Sequence, residues 1–185
     1  MIKKTIFIFF LTVSWFVIIG LKSSGELELP SDKINKTIRK RLGDFSFDLI
    51  SVDSESVIYP TLLYRIVADN STSGYVYVSR LNSCRAGGCD ANPMMQNAEF
   101  EYFDYFFVTD STGKIINVKI FNYQATHGHQ VMSRGWLKQF IGFQGYQSLN
   151  YGTDIQAVSG ATISAKAIIG DIQDAEKLIL GFINR

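Results

Sequence analysis

Two long strand patterns joined by a short turn restrict this chain more than any other feature. Phe100 to Thr109 and Lys114 to Asn122 are rich in Phe, Tyr, Val and Ile, and between them lies Asp110-Ser111-Thr112-Gly113. β-Branched and aromatic residues suit a pleated surface, while Asp, Ser and Gly supply turn chemistry, so the pair predicts an antiparallel hairpin. A second pair precedes it: Thr61 to Ala68 and Tyr75 to Leu81 flank Asp69-Asn70-Ser71-Thr72-Ser73-Gly74. Phe45 to Val52 alternates loosely and adds a further strand. Successive hairpins build an antiparallel sheet whose apolar face needs a cover. The C-terminus supplies one, because Ala165, Ile168, Ile169, Ile172, Ala175, Ile179, Phe182 and Ile183 recur at helical spacing. The expected class is α+β: an antiparallel sheet built from hairpins, a C-terminal helix packed on it, and an N-terminal membrane anchor or signal segment before both.

That first segment opens with Lys3 and Lys4 and continues as an uncharged apolar run from Thr5 to Leu21. A secretory signal has this pattern, and the run also comes near the lower limit for spanning a bilayer. No small-x-small cleavage pattern stands out, although Ser23-Ser24-Gly25 could be cut, and no Cys follows to take a lipid. An uncleaved anchor and a removed signal both stay open; in either case the lysines place the start inside and the domain outside the cytoplasm. The expected division is 1–22 for the anchor or signal, 23–96 for an N-terminal lobe of helix plus strands, and 97–185 for the remainder. In the lobe, a helix starts at Ser31 as N-cap, carries Ile34, Ile38 and Leu42 on one stripe and ends at Gly43. Lys33, Lys36, Arg39, Lys40 and Arg41 make it basic; a solvated face and contact with anionic headgroups both fit. A formal net charge of +1 leaves nothing to attract nucleic acid.

Just before the C-terminal helix stands Ala157-Val158-Ser159-Gly160-Ala161-Thr162-Ile163-Ser164. Ser164 or Thr162 offers an N-cap, and a glycine-containing turn at a helix N-terminus is a seat for an anion. Spacing alone is satisfied by a capped loop. The stretch also resembles the flavin-attachment motif of the FMN-binding domain family, Asp-x-x-Ser/Thr-Gly-Ala-Thr, often followed by another Ser or Thr. That family includes a flavin-carrying component of the sodium-translocating NADH:quinone reductase and its counterpart in Rnf electron-transport complexes. The resemblance extends over roughly residues 97 to 180, through Gly113-Lys114-Ile115-Ile116-Asn117-Val118 as a strand start and Trp136-Leu137-Lys138-Gln139-Phe140 as a short helix. It implies that Thr162 carries FMN through a phosphoester made by a separate flavin transferase. Ser159, Gly160 and Ala161 would shape the loop, and Ser164 would stand where the motif often has its further hydroxyl. The family's acidic residue falls here on Gln156, with Asp154 two residues earlier. If that carboxylate serves the transferase, an amide weakens modification and binding without a covalent bond remains open.

Three other groups carry chemistry. Cys84 and Cys89 enclose Arg85-Ala86-Gly87-Gly88, and they are the only two cysteines; outside the cytoplasm a structural disulfide is expected, with a redox pair or metal ligation as alternatives. His127 and His129 are the only histidines. They could be solvent-exposed or metal ligands, and the resemblance places their loop toward the flavin, with His127 as a cofactor contact. Trp136 and Phe140, four apart, read as core, whereas Tyr146 or Tyr151 could meet the isoalloxazine. Together these imply an envelope electron carrier with covalent FMN and no metal site. Its expected partners are a flavin transferase, redox proteins in or at the membrane, and the membrane itself through residues 5–21. The domain would face the periplasm or exterior, or be secreted if the signal is cut. A cofactor-free or non-covalent FMN-binding envelope module is the alternative, and a metal-binding domain comes after it.

Overall fold

The computed structural model describes residues 26–53, 60–85 and 100–185. The apolar run to Leu21 and Cys89 lie outside them. Among the described residues no helix is long and apolar enough to cross a membrane.

The chain forms α1 (Ser31–Leu42), β1 (Asp48–Val52), β2 (Thr61–Ala68), β3 (Ser71–Arg85), β4 (Phe100–Thr109), β5 (Ile115–Tyr123), the short α2 (Arg134–Leu137) and the long α3 (Thr162–Ile183). The strands pair in chain order, β1-β2-β3-β4-β5, every pair antiparallel. Segments before and after residue 96 therefore share one sheet, through the pairing of β3 with β4.

The β2–β3 turn is tighter than its composition suggests. Only Asp69 and Asn70 lie between the strands, with φ of 47° and 60°. Their short polar side chains tolerate this left-handed backbone, and such a two-residue turn matches the strand twist. Ser71 to Gly74, loop-like in composition, already belongs to β3. Gly74 pairs with Ile66 and Thr72 with Val67, so Ser73 bulges out. A Cβ on Gly74 would sit 2.2 Å from the Thr109 carbonyl oxygen of β4. Gly74→Ala must push two paired strands apart and should cost about 1–3 kcal/mol, the range for overpacking a rigid site. Urea unfolding measures this; an unchanged midpoint would mean that the strands give way freely.

Both faces of the sheet are covered. Phe103, Tyr105 and Phe107 of β4 join Tyr77, Leu81 and Ile115 beneath α3. The alternate residues Phe106 and Val108 join Val76 and Val78 beneath Ile34 and Ile38 of α1. The sequence accounted for one covered face; α1 supplies the second. Ser31 is its first helical residue rather than its cap, a position taken by Pro30.

α3 runs along β3 and buries the expected stripe, from Ala165 through Ile168, Ile169, Ile172 and Ala175 to Ile179. Each fully buried Ile contributes about 1.5–3 kcal/mol, so packing rather than propensity holds the helix. One polar clamp adds registration: Asp171 accepts hydrogen bonds from Tyr77 (3.1 Å) and Tyr105 (2.6 Å). Burial raises the Asp171 carboxyl above its usual range, opposed by the two tyrosine donors and by the nearby Ser79 hydroxyl, which itself makes no hydrogen bond among the described residues. On the α1 face, Arg80 meets Asp104 at 2.7 and 2.9 Å and stacks 4.0 Å over Tyr102, while Asn122 donates to Asp104 at 2.7 Å. These residues line a cavity of about 400 Å³ together with Lys33 and Phe121.

Trp136 and Phe140 are core residues, 5% and 0% exposed, with rings edge-on at 5.2 Å. Cys84 is buried near the end of β3. Its pairing with Cys89 remains a proposal, since Cys89 lies outside the described residues.

Candidate functional site

The start of α3 lies where β3 and β5 finish. Ser164 is buried, its hydroxyl 2.7 Å from that of Ser83 on β3 and 3.3 Å from that of Tyr123, the last residue of β5. Tyr123 donates to the His127 carbonyl at 2.5 Å. That spends its only proton, so Ser164 donates to Tyr123 and Ser83 to Ser164. The loop after β5 is thereby tied to the helix start. It passes so close that a Cβ on Gly128 (φ 87°) would lie 2.6 Å from the Tyr123 hydroxyl and 2.9 Å from that of Ser164; only glycine suits this backbone and this space.

The turn itself is braced from the other side. Trp136, buried in the core, needs a partner for its indole N–H and donates to the Gln156 carbonyl at 2.8 Å. The Gln156 amide in turn donates to the Gln139 side chain at 2.8 Å. Ile155, 1% exposed, anchors the same stretch. Asp154 is engaged locally, accepting from the Asn150 backbone and side chain at 2.8 and 2.9 Å. Tyr151 then clamps Val158: its hydroxyl accepts from the Val158 amide at 3.0 Å and lies 3.2 Å from the carbonyl.

From that brace the chain turns at Gly160, whose φ of 74° is again a glycine conformation, with the Gln130 side chain alongside. α3 begins at Thr162 with Ala161 at the cap position, and no side chain caps it. The expected N-cap role of Thr162 or Ser164 is thus corrected: Thr162 occupies the first helical position with its hydroxyl outward, and Ser164 points inward. Uncapped first-turn amides, with no acidic residue in that turn, leave the positive end of the helix open to an anion.

Thr162, Ser159 and Gly160 are exposed, Ala161 is buried, and His127 is exposed on the neighbouring loop. The Tyr151 hydroxyl is 3.5 Å from Thr162 Oγ1, and its pKa is lowered first by Thr162 and then by the Val158 amide. Lys166, one turn along α3 from Thr162, places Nζ 5.9 Å from the Tyr151 ring centre. The rings of Tyr123 and His129 lie against each other, tilted, at 4.7 Å. Tyr146 is not brought here. It is 72% exposed, and its neighbour Gly145 lies against Glu176, roughly 20 Å along α3 from Thr162. The cavity beside Arg80 and Asp104 opens on the opposite face of the sheet.

Several residues escaped the sequence reading. Lys166 was discoverable from its four-residue spacing to Thr162. Tyr123 and Gln130 reach the site only through tertiary folding. Chemically, the site offers an exposed hydroxyl, anion-binding amides, a lysine and an aromatic surface, which fits a phosphate joined to a flat ring.

Residues 104–177 match the family of FMN-binding domains. That match begins within β4 and ends in the second half of α3. No curated protein matches the chain.

Proposed function

Since residues 104–177 form an FMN-binding domain and FMN is its cofactor, we propose that this chain carries FMN as a phosphoester on Thr162 and serves as an envelope electron carrier. The observation that carries this reading is the Thr162 hydroxyl, exposed at the first position of an uncapped helix. The amides of that turn and Lys166 would hold the phosphate, and Tyr123, His129 and His127 would border the ring. Ser159, Gly160 and Ala161 set the turn, while Ser164 acts from behind by holding the histidine loop in place. FMN supplies the electron chemistry; the protein supplies attachment and orientation.

Among the described residues, no side-chain base is hydrogen-bonded to Thr162 other than the Tyr151 hydroxyl. Thr162 is therefore an acceptor that a flavin transferase activates, not a self-acting nucleophile. The run 5–21 would tether the domain outside the cytoplasm, where redox proteins in or at the membrane exchange electrons with it and the Cys84–Cys89 disulfide forms. A covalent bond suits such a place, because a lost cofactor is not readily replaced.

The test is the full chain co-expressed with a flavin transferase, purified and denatured. Colour that survives denaturation, with a mass gain of one FMN less one water on the peptide holding Thr162, supports the proposal. Colour released by denaturation would establish non-covalent binding instead, and colourless protein would favour the cofactor-free module. The same system tests position 156, where this chain has an amide. Gln156→Asp should speed labelling about tenfold, the worth of one charge-assisted hydrogen bond. Equal labelling of parent and variant before saturation, read by intact mass, would show that the carboxylate is dispensable.

A further inference from the structure

His127 sits at the end of a hydrogen-bond chain that determines which of its nitrogens exchanges a proton. Thr126 Oγ1 lies 2.9 and 3.0 Å from the two carboxylate oxygens of Glu101 on β4, and the Thr126 amide donates to the same carboxylate at 2.8 Å. The same Oγ1 is 2.9 Å from His127 Nδ1. A threonine hydroxyl has one proton, and an ionised glutamate can only accept. The hydroxyl proton therefore goes to Glu101. Oγ1 is left as an acceptor, and Nδ1 must carry a hydrogen to reach it. This holds for the neutral ring and for the imidazolium alike. Nε2 is the nitrogen left free of this chain of bonds, with no partner found among the described residues.

The His127 backbone is itself fixed. Its carbonyl accepts from Tyr123, whose oxygen lies 3.3 Å from the hydroxyl of Ser164 in the first turn of α3. Both ends of the residue are thus held, one by β5 and α3 and the other by β4. Among the described residues, the titratable groups tied to it are Glu101 from β4, through Thr126, and Tyr123 from β5, at its carbonyl, with the His129 ring against Tyr123. The first turn of α3 contributes no acid.

We propose that His127 is the proton-exchanging side chain of the flavin site, and that Glu101 and Thr126 are positioning residues that confine its exchangeable proton to Nε2. In the exchange, the Nε2–H bond of the imidazolium would break, a ring nitrogen of the flavin would take the proton as the flavin is reduced, and the imidazole would be left as neutral Nδ1–H. The reverse step takes a proton back. Imidazole can both give and take a proton at this nitrogen. The proposal rests on the flavin reading of the site for its acceptor; the hydrogen-bond chain does not.

The experiment uses the full chain in detergent micelles, labelled with nitrogen-15 in histidine. Without flavin, the ring-nitrogen shifts of His127 across a pH titration should place a proton on Nδ1 throughout, with Nε2 alone titrating. Thr126→Val, close in shape but without an acceptor, should move the neutral ring toward the Nε2–H tautomer. Thr126→Ser should restore the parent pattern. An Nε2–H tautomer in the parent, or no change in Thr126→Val, would overturn the positioning role. In flavin-loaded protein, the midpoint potential plotted against pH should bend where Nε2 titrates, and His127→Gln should remove that bend. A bend that persists in His127→Gln would overturn the proton-exchange role. Failure of the attachment reading looks different, because no flavin would then be found on Thr162 while the tautomer result stands.

Discussion

Thr162→Val, co-expressed with a flavin transferase, is expected to give no fluorescent band on a denaturing gel and no flavin adduct by intact mass, against full labelling of the parent. The loss should be complete rather than partial, since valine replaces the hydroxyl by a methyl of similar size and leaves no oxygen to esterify. The fold should hardly notice. Thr162 is exposed, and its hydroxyl makes one long contact of 3.5 Å with Tyr151. Surface changes of this kind stay within about 0.5 kcal/mol, so thermal unfolding of the variant should match the parent and separate chemistry from stability. Ser164 cannot stand in, because its hydroxyl is buried against Ser83 and Tyr123. Ser159, exposed three residues earlier, is the nearest substitute, and a band that stays fluorescent would move the assignment there.

Glu176 carries the second large effect. It is fully buried on α3, and among the described residues neither carboxylate oxygen has a hydrogen-bond partner. The loop at Gly145 lies directly over it, with a would-be Cβ 2.9 Å from that of Glu176. Burial pushes its carboxyl up from 4.5 to about 8; the Gly145 amide nearby, short of a hydrogen bond, opposes weakly and Asp110 reinforces. An acid whose pKa is higher folded than unfolded stabilises the fold fully below its unfolded pKa, and that contribution is lost as pH rises toward the folded value. Stability should therefore fall between about pH 4.5 and 8 and level off above. At 1.36 kcal/mol per pH unit, the loss comes to roughly 3–5 kcal/mol. Asp171, also raised by burial, slopes the same way. The difference between parent and Glu176→Gln isolates Glu176, because glutamine is neutral throughout. Glu176→Leu should be more stable than the parent at pH 8 by a few kcal/mol, since it removes both the charge and the unpartnered oxygens. Urea unfolding of the three proteins at pH 5, 6.5 and 8 decides this. Parallel curves for parent and Glu176→Gln would mean that the carboxyl is hydrated after all.

Glu176 was visible in the sequence to a reader who counted. It falls four residues after Ile172 and three before Ile179, in the middle of the buried stripe, and only its charge argued against burial. The hairpin from Phe100 to Tyr123 was legible because strand and turn compositions agree at every position. The β2–β3 turn was not: Ser71 to Gly74 have loop composition, but pairing across the sheet and a bulge draw them into β3. The second cover, α1, had a clear stripe yet nothing to say which face it would meet, because a central strand such as β4 is apolar on both sides. At the site, Thr162 could be placed from its motif, and Tyr151 from its aromatic character near that motif. The chain from Glu101 through Thr126 to His127 spans 25 residues between its first two members and exists only once β4 and the loop after β5 are brought side by side.

The order of the strands has an evolutionary side. The flavin-binding match starts at Asp104, within β4, but β4 is the fourth of five strands and hydrogen-bonded along both edges. A gene fragment cut at that point would leave one edge of β4 unpaired, Phe106 and Val108 without α1, and a hydrophobic strand open to pairing with other chains. The portion that can be recognised across proteins is therefore smaller than the portion that can be transplanted. Any fusion or recombination that moves this FMN-binding domain into a new context has to take β3 and α1 with it, although both lie outside the matched residues.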